Sequence, residues 1–264
     1  MPKLAVSGKG GVGKTTWAAL LAGAYARRGD NVLAIDADPS PCLANALGLP
    51  EELAKEIVPI SEMEELIYER TGAQLGKTGG YFRLNPKVDD IPERFSANYK
   101  GIRLLQLGHV EKGGSGCICP ESTLLKALVT HLLLGRRDVV ILDMYAGTEH
   151  LGRGTAQAVD AFLIVVEPSA RSLATARQIE QLARDINIPR LYLLANRVRS
   201  EGDRQFIISS LVDNGPELPL LGVLPEDPAV LEADRLGLPV YEHAPMLFAE
   251  AQRVVAELDT ISAH

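Results

Sequence analysis

Gly8-Lys9-Gly10-Gly11-Val12-Gly13-Lys14-Thr15-Thr16 (residues 8–16) stands between a short apolar run, Leu4-Ala5-Val6, and a stretch of helical character over residues 17–28. It fills the frame G-x-x-x-x-G-K-[ST], in which glycines let the chain curl so that successive backbone N–H groups point at phosphate oxygens. The helix that follows adds its unpaired N–H groups and the positive end of its dipole. Lys14 is placed to reach the β- and γ-phosphates of a nucleoside triphosphate. The Thr15 hydroxyl is placed to ligate Mg²⁺, with Val12 and Thr16 completing the cradle. Gly8, Gly10 and Gly13 also spell the dinucleotide-binding pattern G-x-G-x-x-G, with Asp36 as its acid after the next strand. That pattern has no use for Lys14-Thr15 directly after the last glycine, where the helix dipole disfavours a cation unless phosphate is present.

The strands around this loop set the fold. Val32-Leu33-Ala34-Ile35 ends in Asp36-Ala37-Asp38-Pro39, and Val139-Val140-Ile141-Leu142 ends in Asp143. Continuous apolar runs of this kind suit a parallel sheet covered on both faces. Residues 102–107, 162–166, 191–194 and 221–224 read as further strands. Helical spacing occupies residues 43–47, 122–134, 173–186 and 246–258, the last with Leu247, Ala251, Val254 and Leu258 on one face. Alternating strands and helices predict an α/β fold: a doubly wound, mostly parallel sheet with helices on both faces. Residues 1–264 are expected to form one domain, with a rim insertion around 50–100 that has helix near 63–70 and loop at 76–80.

A chain of 264 residues with 46% hydrophobic and 23% charged residues has an ordinary globular composition. Its net charge of −7 argues against nucleic acid as partner, because phosphate backbones call for clustered Lys and Arg. No apolar stretch reaches membrane-spanning length, and Met1-Pro2-Lys3 leads straight into a strand, so a cytoplasmic protein without membrane association is expected. Three cysteines make no disulfide framework.

Ligands in such sheets bind beyond the carboxyl ends of the strands. There Asp143 can hold Mg²⁺ directly or through water, and Asp36 or Asp38 can orient an attacking water. Asn196, with Arg197 beside it, offers an amide to a purine edge. Taken singly, each aspartate also suits a helix cap or a turn. Together, beside the phosphate loop, they favour nucleotide hydrolysis.

Lys9, a second lysine early in the loop, makes Gly8-Lys9-Gly10-Gly11 resemble the deviant phosphate loop of the nitrogenase iron protein, septum-site and chromosome-partitioning ATPases. That resemblance implies a homodimer with ATP or ADP sandwiched at its interface, Lys9 reaching the phosphates on the facing subunit. It also implies that Asp38 is the water-activating carboxylate and that Pro225, Glu226 and Asp227 form an adenine-side loop with Asn196 and Arg197. The catalytic set is then Lys9, Lys14 and Asp38.

Cys117-Ile118-Cys119 sets the chain apart from most of that group. Two thiolates at i and i+2 are half a tetrahedral site, and a symmetric dimer would bring four together for Zn²⁺ or, with planar geometry, Ni²⁺. The alternative is a pair of incidental loop cysteines. Gly113 to Gly116 lend the loop, around residues 111–120, freedom to meet its symmetry mate. Cys42, at a helix start, reads as a small buried residue, His150 after Gly147-Thr148-Glu149 suits a structural or supporting role better than metal ligation, and His109 remains unassigned.

Over nearly its whole length the chain resembles the nickel-insertion accessory ATPases of carbon monoxide dehydrogenase. The motifs are the loop itself, Ile35-Asp36-Ala37-Asp38-Pro39, Leu84-Asn85-Pro86-Lys87-Val88-Asp89-Asp90, Gly114-Ser115-Gly116-Cys117-Ile118-Cys119-Pro120 and Gly152-Arg153-Gly154-Thr155. The resemblance implies nucleotide-dependent dimerisation, metal at the C-x-C pair, and nickel loading of that enzyme. A sister group acting on acetyl-CoA synthase shares the motifs. The chain departs from the family's pattern after Asp143, where Met144-Tyr145-Ala146-Gly147 puts Tyr145 in the place of a usual glutamate. A positioning ATPase should carry a basic amphipathic tail, whereas residues 246–264 set Arg253 against Glu250, Glu257 and Asp259.

Overall fold

The computed structural model describes residues 1–73, 82–108, 119–135, 138–145, 158–212 and 218–262. Expectations for Cys117, His109, His150, the glycines at 113–116, the loop at 76–80 and the stretch 152–155 lie outside the described residues.

The central strands are β1 (Lys3–Gly8), β2 (Val32–Ala37) and β5 (Val139–Met144), each buried along its whole length. With β3 (Ala97–Tyr99), β4 (Ile102–Gln106), β6 (Ala161–Val166), β7 (Leu191–Val198) and β8 (Leu220–Pro225) they form one eight-stranded sheet in the order β3-β4-β2-β5-β1-β6-β7-β8. All neighbours run parallel except β3 and β4.

Side chains on a strand alternate faces, so the apolar runs split cleanly into two cores. Leu4, Val6, Ala34, Ile141 and Leu163 face α1 (Lys14–Arg27) and α11 (Pro245–Ser262), where Trp17, Leu20, Leu247, Val254 and Leu258 are buried. Ala5, Leu33, Ile35, Val140, Leu142 and Ile164 face α6 (Pro120–Gly135) and α7 (Ala170–Asp185). A strand buried on both faces is uniformly apolar for this reason, and the helices on either side follow from it.

Between β2 and β4 lie α2 (Leu43–Ala46), α3 (Glu51–Glu56), a 3₁₀ turn (Ile60–Glu62), α4 (Glu64–Thr71) and α5 (Ile91–Phe95). The helix expected near 63–70 is α4. The short edge strand β3 had no signal of its own. After β7 come α8 (Glu201–Val212), and after β8 come α9 (Ala229–Leu236) and α10 (Val240–His243). No helix among the described residues is long and apolar enough to cross a membrane.

Candidate nucleotide site

β1 delivers the glycine loop to the carboxyl edge of the sheet, with Val6 level with Asp143 on β5 and Gly8 level with Val165 on β6. Gly11 and Gly13 adopt φ of +80° and +97°, where a side chain is strained. A Cβ on Gly10 or Gly11 would meet nothing, so that side of the loop is open. A Cβ on Gly13 would sit 1.9 Å from Asn196 Nδ2. That amide donates to the Val12 carbonyl at 2.8 Å, holding the loop against the end of β7. A second tie lies below it, where Trp17 Nε1 donates to the Ala195 carbonyl at 3.3 Å.

α1 begins at Lys14 with no side-chain cap and no acid in its first turn. Its unpaired N–H groups and dipole therefore face the loop uncompensated, the arrangement that attracts an anion. Lys14 is buried and its Nζ donates to the Lys9 carbonyl at 3.4 Å. Lys9 is half-buried.

Asp143 is 1% exposed. Thr15 Oγ1 donates to its Oδ2 at 2.7 Å, while its Oδ1 is buried without a partner. The parallel register puts Asp36 of β2 directly level with it. Burial, and next the neighbouring Asp36, push the Asp143 carboxyl up to about 7, against the pull of the Thr15 hydroxyl and the Lys14 ammonium. Burial also raises Asp36 above the usual carboxylate range. Asp36 is engaged, accepting from the Leu43 N–H at 2.9 Å and the Asp38 N–H at 3.1 Å, so it braces the turn from β2 into α2. A buried carboxylate with an unsatisfied oxygen beside a hydroxyl is a hard-oxygen donor set, and it suits Mg²⁺. Asp38 is half-buried past the strand end and accepts from the Ser40 N–H at 2.9 Å. Tyr145 is 49% exposed.

Thr15, Thr16, Asn196, Arg197, Pro225, Glu226 and Asp227 all line one cleft of about 730 Å³. The sequence placed Thr15 and Thr16 in the phosphate cradle and the other five on the adenine side, Arg197 and residues 225–227 through the family resemblance; both sets line this one cleft. Arg197 holds φ of +54°, a conformation that costs a non-glycine residue, and its N–H is met by Asn196 Oδ1 at 2.9 Å. Arg199 grips Glu226 with two nitrogens at 2.5 and 2.8 Å and holds its carboxyl below the usual range. Asp227 Oδ1 accepts from the Ala229 N–H at 2.9 Å, starting α9. The opposite wall, which includes Val230, Leu231 and Ala233 of α9, was missed. Its signal is two turns of apolar residues at i and i+3, too short for periodicity to stand out.

Cys42 departs from expectation. It precedes α2, but it is exposed and lines the mouth of the cleft, because Leu43 and Leu47 take the core positions of that turn. Although the residue is exposed, partial loss of water around its sulfur, and then Asp36 and Asp38, raise its thiol above the ordinary range. Cys119 is a half-buried free thiol whose Sγ accepts from the Ser122 N–H at 3.4 Å as α6 begins. Among the described residues no cluster of three or more His, Cys, Asp or Glu is arranged for a metal.

The glycine cradle, the Thr15–Asp143 pair and the doubly wound sheet define a nucleotide-binding protein of the phosphate-loop class. The chain belongs to the CobQ/CobB/MinD/ParA nucleotide-binding family, whose pattern matches residues 3–240. Within it, the chain is similar to the carbon monoxide dehydrogenase accessory protein CooC of Rhodospirillum rubrum, 48% identical over 256 residues that cover 97% of this chain and 95% of that one. It is 44% identical to an uncharacterized ATP-binding protein of Methanocaldococcus jannaschii over 90% of each chain. The fold matches that of the septum site-determining protein MinD complexed with Mg-ADP from Pyrococcus horikoshii, with a TM-score of 0.65 at 20% identity over 98% of this chain and 96% of that one. MinD of Aquifex aeolicus gives 0.68 at 22% with the same coverage.

Proposed function

We propose that this chain is an ATP-hydrolysing homodimer that supports nickel insertion into carbon monoxide dehydrogenase. The observation that carries the reading is the likeness to CooC along nearly the whole chain. In this account residues 1–264 work as one ATPase domain in the cytoplasm, where thiols stay reduced.

Residues 8–16 wrap the triphosphate with backbone N–H groups, and Lys14 balances charge on the β- and γ-phosphates. Thr15 and Asp143 would hold Mg²⁺, which would neutralise phosphate charge when bound, with Asp143 in its carboxylate form. Asp38 orients water for attack on the γ-phosphorus, giving ADP and phosphate. Lys9 reaches the phosphates on the facing subunit, so hydrolysis requires the dimer. Asn196, Arg197 and the turn at Pro225, Glu226 and Asp227 receive the base.

Cys117 and Cys119 of each chain supply four thiolates across the two-fold axis for a Zn²⁺ or Ni²⁺ cargo. If ATP and metal both prefer the closed dimer, each raises the other's affinity by the same factor. Nickel affinity measured with and without a non-hydrolysable ATP analogue tests this. The analogue should tighten binding at least several-fold, and equal affinities would overturn the coupling.

A further inference from the structure

Opposite β8 the sheet of described strands ends at β3. β3 pairs with β4 on one side and has no strand on the other among the described residues. Lys100 and Gly101 close the β3–β4 hairpin, both at positive φ (49° and 81°), as a two-residue turn of the primed kind requires. In such a hairpin the pair flanking the turn, Tyr99 and Ile102, exchanges hydrogen bonds. By alternation Asn98, level with Arg103, turns its N–H and C=O away from β4. Asn98 is exposed.

Beside this edge runs a groove of about 970 Å³, lined from α3, the 3₁₀ turn, α4, α5 and β3. Its apolar lining includes Ile57, Val58, Met63 and Phe95, and Val58 is 46% exposed. Its acidic lining is Glu56, Glu62, Glu64, Glu65 and Glu69, against Arg94, whose guanidinium is engaged with Asp90 at 2.9 Å. Among the described residues no cation lies within ion-pair distance of Glu56, Glu62, Glu64 or Glu65. Glu64 and Glu65 suit the positive end of α4, but Glu56 ends α3, where the dipole opposes a carboxylate. Helix stabilisation therefore does not account for the set.

We propose that this groove takes an extended, lysine- or arginine-rich segment of another protein, added to β3 as a further strand. An extended chain alternates its side chains. One set would cover the apolar residues, the other would meet the unpaired glutamates, and the backbone would satisfy Asn98. The proposal stands apart from the nucleotide site and does not depend on the function proposed above.

The test uses the full chain and a fluorescent octapeptide of alternating lysine and valine, read by anisotropy at low salt. Three glutamates are changed together, Glu62→Gln, Glu64→Gln and Glu65→Gln. A control of equal charge change, Asp185→Asn with Glu201→Gln and Glu257→Gln, alters other faces. The groove variant should weaken peptide binding at least tenfold and the control should not. The same peptide N-methylated at alternate residues, which cannot donate strand hydrogen bonds, should bind at least tenfold more weakly than its parent. Equal weakening by both triple variants, or no binding by the wild type, would overturn the groove. Undiminished binding of the N-methylated peptide would overturn the added strand.

Discussion

Asp143→Asn should make the nucleotide-free protein more stable while disabling it. Asp143 is 1% exposed, and its carboxyl titrates near 7 instead of the ordinary 3.8. Between those values the native chain holds a proton that the unfolded chain has released, so stability falls as pH rises through that window. At about 1.36 kcal/mol per pH unit the loss above pH 7 amounts to about 4 kcal/mol. Asp36, raised by the same burial, adds in the same direction. Asparagine keeps an acceptor for Thr15 and carries no charge. The nucleotide-free variant should therefore exceed wild type by about 4 kcal/mol at pH 8 and by only about 2 kcal/mol at pH 5. Urea unfolding in the presence of a chelator reads both values. Mg²⁺ and ADP at 100 times Kd add about 2.7 kcal/mol to wild type and far less to a variant that cannot hold the ion, so they should reverse the ranking at pH 5 and shrink the variant's lead at pH 8 to about 1 kcal/mol. A variant less stable than wild type at pH 8, or one whose advantage ignores pH, would refute the reasoning.

Gly13→Ala forces a Cβ to within 1.9 Å of Asn196 Nδ2 at φ +97°, and strain with overpacking should cost about 2–5 kcal/mol. Thermal melting should drop by about 2–4 °C for each kcal/mol, and an unchanged melting temperature would count against the loop geometry. Asn196→Ala leaves the Val12 carbonyl unpaired, costing about 1–3 kcal/mol, and should weaken ADP binding in calorimetry. Because it also frees the space at residue 13, the double variant should be less destabilised than the two single effects combined, and strict additivity would contradict the contact.

The phosphate loop and strands β1, β2 and β5 were legible because each carries a signal that neighbours cannot override. Glycines stand where positive φ is required, and unbroken apolar runs have no stable place except between two helical layers. Thr15, Thr16 and Asn196 were legible because strand ends in a parallel sheet converge on one edge, whereas Arg197 and residues 225–227 came only with the resemblance to the deviant-loop ATPases. What stayed hidden depends on tertiary pairing. That Asp36 stands level with the buried Asp143 and adds to the upward push on its carboxyl follows from strand register, which no local pattern encodes. Ala97-Asn98-Tyr99 is too short and mixed to announce an edge strand, and α9 offers only two turns of amphipathic spacing. Cys42 was misjudged because small size suggests burial, whereas Leu43 and Leu47 already fill the interior of that turn.

The central claim is that ATP closes two copies of this chain through Lys9. Light scattering on wild type and on Lys9→Ala, each with Mg²⁺ and either ADP or a non-hydrolysable ATP analogue, tests it most directly. Wild type should run as a two-chain species with the analogue, whereas the variant should bind the analogue and remain a single chain. A wild type that stays monomeric when saturated with analogue, Mg²⁺ and nickel, or a variant that pairs equally well, would contradict the account.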